Sequence, residues 1–147
     1  MIAKIPIQTV SKSVPSEHQE AAALMRLVHL HEAQCPLLKR LFHVANGGLR
    51  SKASAGKLKA EGVRAGVPDY IGPFRGYSKS NNQFCTYIGL AIELKRRKGG
   101  AVSEAQRDWV EFLSNAGWKV AVCSGHEDAW AVICEYVGIR NCLQGAA

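Results

Sequence analysis

The run from Gln83 to Cys123 constrains the fold more than any other part of the chain. It carries a strand-like segment, QFCTYIGLAIELK (83–95), through a basic turn, RRKGGAV, into SEAQRDWVEFLSNAG (103–117), and then into WKVAVC (118–123). The first segment is rich in β-branched and aromatic residues, as strands are. The middle one is a complete amphipathic helix: Ser103 opens it, Ala105, Trp109, Phe112, Leu113 and Ala116 recur at helical spacing, and Gly117 ends it. A strand, a capped helix and a second strand in that order require a sheet with a helix laid on it.

The flanking sequence extends this pattern. SEHQEAAALMRLVHLHEA (16–33) reads as a helix, with Ser16 as N-cap and Gln19 completing a capping box. Its stripe of Leu24, Leu27 or Val28, and His31 runs back to Glu20 and Glu17, so both acids are expected on the core side. A short basic helix is expected around residues 53–61. DYIGPF begins a short strand at Asp69, and the polar RGYSKSNN (75–82) reads as the hairpin loop before the longer strand. HEDAWAVICEYVG (126–138) is a last helix, with acids in its first turn and Gly138 at its end. The order is α-β-β-α-β-α, an α/β chain with a short mixed sheet flanked by helices. At 147 residues and 47% hydrophobic content it is expected to form one domain over residues 1–147, with a core of about 16–137. Trp109, Trp118 and Trp130 lie on apolar faces and are expected in that core.

Several classes are disfavoured. No stretch approaches the roughly 18–20 uninterrupted apolar residues of a membrane span, and MIAKIPIQTVSKSV lacks a signal peptide's apolar run, which points to the cytosol. The five cysteines are odd in number, scattered and never spaced CxxC, so they are expected as thiols. His29 and His31 are about 200° apart around a helix and cannot face one ion. His31 with Cys35 is better read as a packed pair than as a metal site.

Charge points towards polyanions. The formal net charge is +7, but residues 39–98 alone carry +10, with thirteen Lys and Arg against Glu61, Asp69 and Glu93. Such a segment draws in phosphates and displaces their counterions. Two of its three acids open one strand and end the next: Asp69 follows Pro68, and Glu93 stands two residues before Lys95, on the same side of its strand. If those strands are neighbours, two carboxylates and an ammonium meet on one patch. Carboxylate oxygens suit Mg2+ or Mn2+, which also take phosphate oxygens, and a nearby lysine can orient a water or neutralise charge on a phosphoryl group. Gln106, three residues after Ser103, completes a capping box whatever else it does.

GVPD, IELK and SEAQ, in that order, resemble the PD-(D/E)XK nuclease superfamily and within it the VRR-NUC branch, the virus-type replication-repair nucleases. The similarity runs from about residue 16 to 137 and includes NGG…AGKLKAEGVRAGVPD, which looks like the stand-alone phage and bacterial members. The resemblance implies a restriction-endonuclease-like core and a divalent metal held by Asp69, Glu93 and the backbone carbonyl of Leu94. It implies Lys95 as the catalytic lysine, Gln106 as the glutamine on the following helix, and an acid from the first helix, matched by Glu17 with Glu20 as the alternative. One departure stands in that helix: the pattern has a glutamine directly after Glu20, where this chain has Ala21.

The activity so implied is Mg2+- or Mn2+-dependent hydrolysis of DNA phosphodiesters in a bacterial or phage-infected cytosol, in DNA repair, on branched substrates and four-way (Holliday) junctions first. Phosphate contacts are expected from Arg50, Lys52, Lys57, Lys59, Arg64, Arg96, Arg97 and Lys98. A non-catalytic junction-binding module, or a nuclease preferring flaps, is the alternative. Paired cuts on a junction call for two sites, hence a homodimer, with an interface expected around Leu37, Leu38 and Leu41.

Overall fold

The computed structural model describes residues 14–45, 52–80, 83–98 and 100–143. Helix α1 (Glu17–His31) is followed by a 3-10 turn (Pro36–Arg40), strand β1 (Phe42–His43) and helix α2 (Lys52–Ala60). Strands β2 (Tyr70–Gly72), β3 (Gly76–Ser80), β4 (Gln83–Tyr87) and β5 (Leu90–Lys95) come next. Helix α3 (Glu104–Asn115), strand β6 (Lys119–Ser124) and helix α4 (His126–Val137) complete the order. The expected α-β-β-α-β-α series is present as α1, β2, β5, α3, β6 and α4.

The main sheet runs β1-β2-β5-β6. β2 is antiparallel to β1 and β5, while β5 and β6 are parallel. Parallel neighbours need a crossover, and α3 supplies it. Its N-terminus is held as the sequence predicts, with Ser103 N donating to Gln106 Oε1 at 2.9 Å and Gln106 N to Ser103 Oγ at 3.2 Å. Ser16 and Gln19 form the same box at the start of α1. β5 is the central strand, and its residues from Leu90 to Leu94 are all buried. Leu90 and Ile92 join Leu24 and Val28 of α1 and Trp130 and Ile133 of α4 in the apolar core.

RGYSKSNN differs from the expected loop. Most of it is strand β3, which pairs with β4 from Gly76↔Tyr87 to Ser80↔Gln83 as a separate two-stranded sheet. Its support comes from α4. Ser78 Oγ donates to Glu135 Oε1 at 3.0 Å and Lys79 N to the same atom at 2.6 Å, and a Cβ at Gly76 would meet the Tyr136 ring at 2.3 Å. The long strand expected over 83–95 is correspondingly broken between Tyr87 and Leu90. There Gly89 passes the Trp118 ring so closely that a Cβ would lie 2.5 Å from it, and the chain changes sheets.

Two packing expectations are corrected. Leu38 and Leu41 are 0% and 5% exposed and belong to the core, so of these three leucines it is Leu37, at 42%, that is exposed. Among the tryptophans Trp130 is fully buried, with His31 stacked on it at 4.7 Å, whereas Trp109 and Trp118 are half-buried. Cys35 is buried, and the five cysteines are free thiols. No helix among the described residues is long and apolar enough to cross a membrane.

Candidate active site

The register of β2 on β5 brings the two acids together. Tyr70 pairs with Ile92, so one step further along the ladder Asp69 stands opposite Glu93. Asp69 is fixed from two sides: its Oδ2 accepts from Leu94 N at 2.8 Å, and its backbone carbonyl accepts from Val44 N at 2.7 Å. Glu93 is 2% exposed. Strand alternation points Lys95 the same way, and its Nζ lies 2.8 Å from Glu93 Oε1.

α3 closes this group from above. Gln106 Nε2 donates to Glu93 Oε1, and Gln106 Oε1 accepts from Lys95 Nζ at 3.2 Å while also capping its own helix. The capping and site roles of Gln106 are therefore simultaneous. The approach of α3 depends on Gly66, at φ +82°, where a Cβ would lie 2.4 Å from the backbone carbonyl of Ala105 and 2.8 Å from Gln106 N. Only glycine lets the loop before Asp69 run so near the first turn of α3.

Electrostatics here favour added positive charge. Burial holds both Asp69 and Glu93 above the ordinary carboxylate range, although the Leu94 N–H works against it at Asp69 and the Lys95 ammonium at Glu93. The charge of Glu17 raises both further, and Asp69 raises Glu93. Among the described residues no three Asp, Glu, His or Cys side chains close around one point. The donor set of Asp69, Glu93, the Leu94 carbonyl and a nearby Glu17 is nevertheless entirely oxygen, and a cation between these groups would relieve each repulsion. It fits a hard divalent ion.

The two acids of α1 occupy different surroundings. Glu17 is exposed and, with Asp69 and Leu94, lines an open cavity of about 530 Å³ rimmed by His18 and His43. A second cavity of about 340 Å³ lies on its other side, lined by Ser16, Glu17, Arg96, Gly100 and Ala101. Glu20 is 1% exposed. It accepts from Arg97 Nε at 2.9 Å, from His126 N at 2.9 Å and makes a 2.5 Å contact with His126 Nδ1. Burial opposes its ionisation, but these hydrogen bonds from His126 and Arg97 prevail and draw its pKa down to about 2. Glu20 thus ties α1 to the end of β5 and the start of α4.

Of the cations expected at phosphates, Lys57, Lys59, Arg64, Arg96 and Lys98 are exposed, with Lys57 4.0 Å from Glu61. Arg97 is held between Glu20 and Glu127, at 2.9 and 3.1 Å. Lys52 opens α2, and Arg50 lies outside the described residues. Sequence reasoning missed His18, His43 and His126. Only the adjacency of His18 to Glu17 was visible in the chain; His43 reaches the cavity from β1, and His126, at the start of α4, meets Glu20 rather than the cavity.

A family model described as "VRR-NUC domain" matches residues 11–127. The chain belongs to the VRR-NUC family. A solved structure titled "VRR_NUC domain protein" shares its fold, with a TM-score of 0.65 and 23% identity over 88% of this chain and 93% of that one. No curated protein matches it. VRR-NUC is a nuclease domain, and DNA is the substrate it implies. In this VRR-NUC domain the residues of GVPD, IELK and SEAQ converge on one patch, as expected if their strands are neighbours.

Proposed function

We propose that this VRR-NUC domain is a divalent-metal-dependent, structure-selective DNA endonuclease that resolves four-way junctions as a homodimer. The observation that carries the reading is the convergence of Asp69, Glu93, Lys95 and Gln106, with Glu17 facing them across an open cavity. Asp69, Glu93, Glu17 and the Leu94 carbonyl would hold Mg2+ or Mn2+. When bound, such an ion supplies Lewis acidity for the phosphate and lowers the pKa of water.

The chain's own groups do the rest. Lys95, held by Glu93 and Gln106 in a nearly buried pocket, can present an N–H to the attacking water and neutralise charge as it builds on the phosphoryl oxygens. Gln106 keeps that ammonium in place through its rigid, capped helix start. Glu17 is preferred to Glu20 as the first-helix ligand because Glu20 is already engaged by Arg97 and His126. Lys57, Lys59, Arg64, Arg96 and Lys98 supply backbone phosphate contacts.

Asp69→Ala or Lys95→Ala is expected to abolish cleavage while leaving folding and much of the DNA binding intact. Full activity in either variant, or undiminished cleavage in EDTA, refutes the proposal. A non-catalytic module is the second reading, favoured by the ion pair that already neutralises Glu93. Calorimetric titration with Mn2+ separates them, since a module binds none. Four-way, flap, splayed, nicked and duplex substrates cut at equal rates would remove structure selectivity, and sedimentation at the monomer mass would remove the dimer.

A further inference from the structure

The cavity beside Asp69 has two unlike sides. One carries Glu17 and Asp69. The other is formed by Ala21, Ala22 and Met25 of α1 with Tyr70 of β2. Tyr70 is 1% exposed and its hydroxyl donates to Ala21 O at 3.4 Å, so it backs this wall from the core. His43 is fixed edge-on to that ring, with centroids 5.2 Å apart. A paired duplex presents its backbone and, in its grooves, the edges of its bases, while the base faces stay inside the stack. The methyl groups of Ala21 and Ala22 and the Met25 thioether give the cavity an apolar surface that suits the face of a base better than a sugar-phosphate backbone.

We propose, resting on the endonuclease reading above, that this cavity receives one unpaired nucleotide of the DNA, adjoining the phosphate to be cut. Its base lies on the Ala21, Ala22 and Met25 wall, and His18 and His43 face its polar edge. The volume of about 530 Å³ is in the range of sites that enclose a small molecule. Flat apolar and aromatic surfaces bind unstacked bases with little regard to sequence. The two consecutive alanines leave the necessary room. Past Glu17 the second cavity leads to Arg96, an exposed cation positioned for the next phosphate along the strand. Branch points and strand ends provide the free nucleotide, and continuous duplex does not. The cavity thereby becomes a device for substrate selection.

The test uses the full chain and a branched DNA with 2-aminopurine as the unpaired nucleotide, in EDTA so that no cleavage intervenes. Wild-type protein is expected to change the fluorescence on binding. Ala22→Trp, which fills the cavity from an exposed position, is expected to lose that response while retaining its melting temperature and its overall DNA affinity. In Mg2+ or Mn2+, an abasic site at the same position is expected to slow wild-type cleavage about tenfold, as does Ala22→Trp, and the two together are expected to do no more than either. Met25→Ala removes the wall without adding bulk, and its weaker fluorescence response guards against misfolding of the tryptophan variant. A response equal in wild type and Ala22→Trp, or wild-type cleavage indifferent to the abasic site, overturns the proposal. Fluorescence that behaves as expected in a protein that cuts no DNA leaves the cavity assignment standing and removes the nuclease reading. Cleavage without the fluorescence response does the reverse.

Discussion

Gln106 and Lys95 are joined by a 3.2 Å hydrogen bond in which the lysine ammonium donates to the same oxygen that caps helix α3. A local helix-start motif and the proposed catalytic group therefore share one atom. Gln106→Glu separates the two roles. Glutamate suits the third position of a capping box, so stability should change by less than about 1 kcal/mol. Its carboxylate cannot donate to Glu93, however, and adds a like charge beside it. Cleavage is expected to fall about a hundredfold, comparable to losing one preorganised site donor, with the melting temperature nearly unchanged. Parallel melting and cleavage assays check this, and equal loss in both would assign Gln106 to the fold alone.

The raised acids make metal binding and stability respond to pH in opposite directions. Asp69 and Glu93 have pKa values above the ordinary range in the folded state, so the native protein holds protons that the unfolded chain has released. Without metal, their contribution to stability is largest in acid and is lost as pH rises through the folded pKa values. A bound cation needs both carboxylates ionised. The increase in melting temperature produced by Mn2+ is therefore expected to shrink steadily as pH falls from 7 into the carboxylate range. Asp69→Asn retains an acceptor for the Leu94 N–H and removes one buried charge. Its metal-free form should be at least as stable as wild type near neutral pH, with no gain on adding Mn2+.

Glu20 has the opposite sign. Its pKa is drawn from 4.5 down to about 2, so its contribution is complete above 4.5 and is lost as pH falls towards 2. Glu20→Ala strips the buried acceptor from the His126 N–H and the partner from Arg97, and should destabilise the fold by about 3 kcal/mol. Urea titration at neutral pH measures that loss. Repeating it at about pH 3, where wild type has lost part of the same contribution, should narrow the gap between the two proteins.

How far such features could be read in the chain depends on what holds them. The meeting of Glu93, Lys95 and Gln106 was legible because Glu93 and Lys95 share one side of β5 and Gln106 stands at a capped helix start, with Asp69 just ahead of β2. The role of Glu20 was not. Its partner His126 is 106 residues away, and helical spacing gave Glu17 and Glu20 one shared face although one is exposed and the other buried. β3 was equally hidden. A polar, glycine-containing segment has no strand pattern of its own, and besides its pairing with β4 it leans on Glu135, an acceptor on a helix that follows more than fifty residues later. Leu38 and Leu41 were misread for the same reason, since apolar residues near a turn look alike whether a partner or α1 covers them.

Gly66 gives the sharpest link between backbone and site. Its φ of +82° already disfavours any side chain, and the Ala105 carbonyl would lie 2.4 Å from an added Cβ. Relief requires the loop before Asp69 to move away from the first turn of α3. That displacement separates Gln106 from Glu93 and Lys95, because both contacts are made by a side chain anchored at the same turn. Gly66→Ala is therefore expected to cost about 2 kcal/mol of stability, from strained backbone and steric displacement together. The variant should remain folded at 25 °C and still bind DNA, while its cleavage falls by at least tenfold. Thermal melting followed by cleavage below the transition checks both halves. Wild-type activity in a destabilised Gly66→Ala protein would show that the approach of α3 serves the fold and not the site.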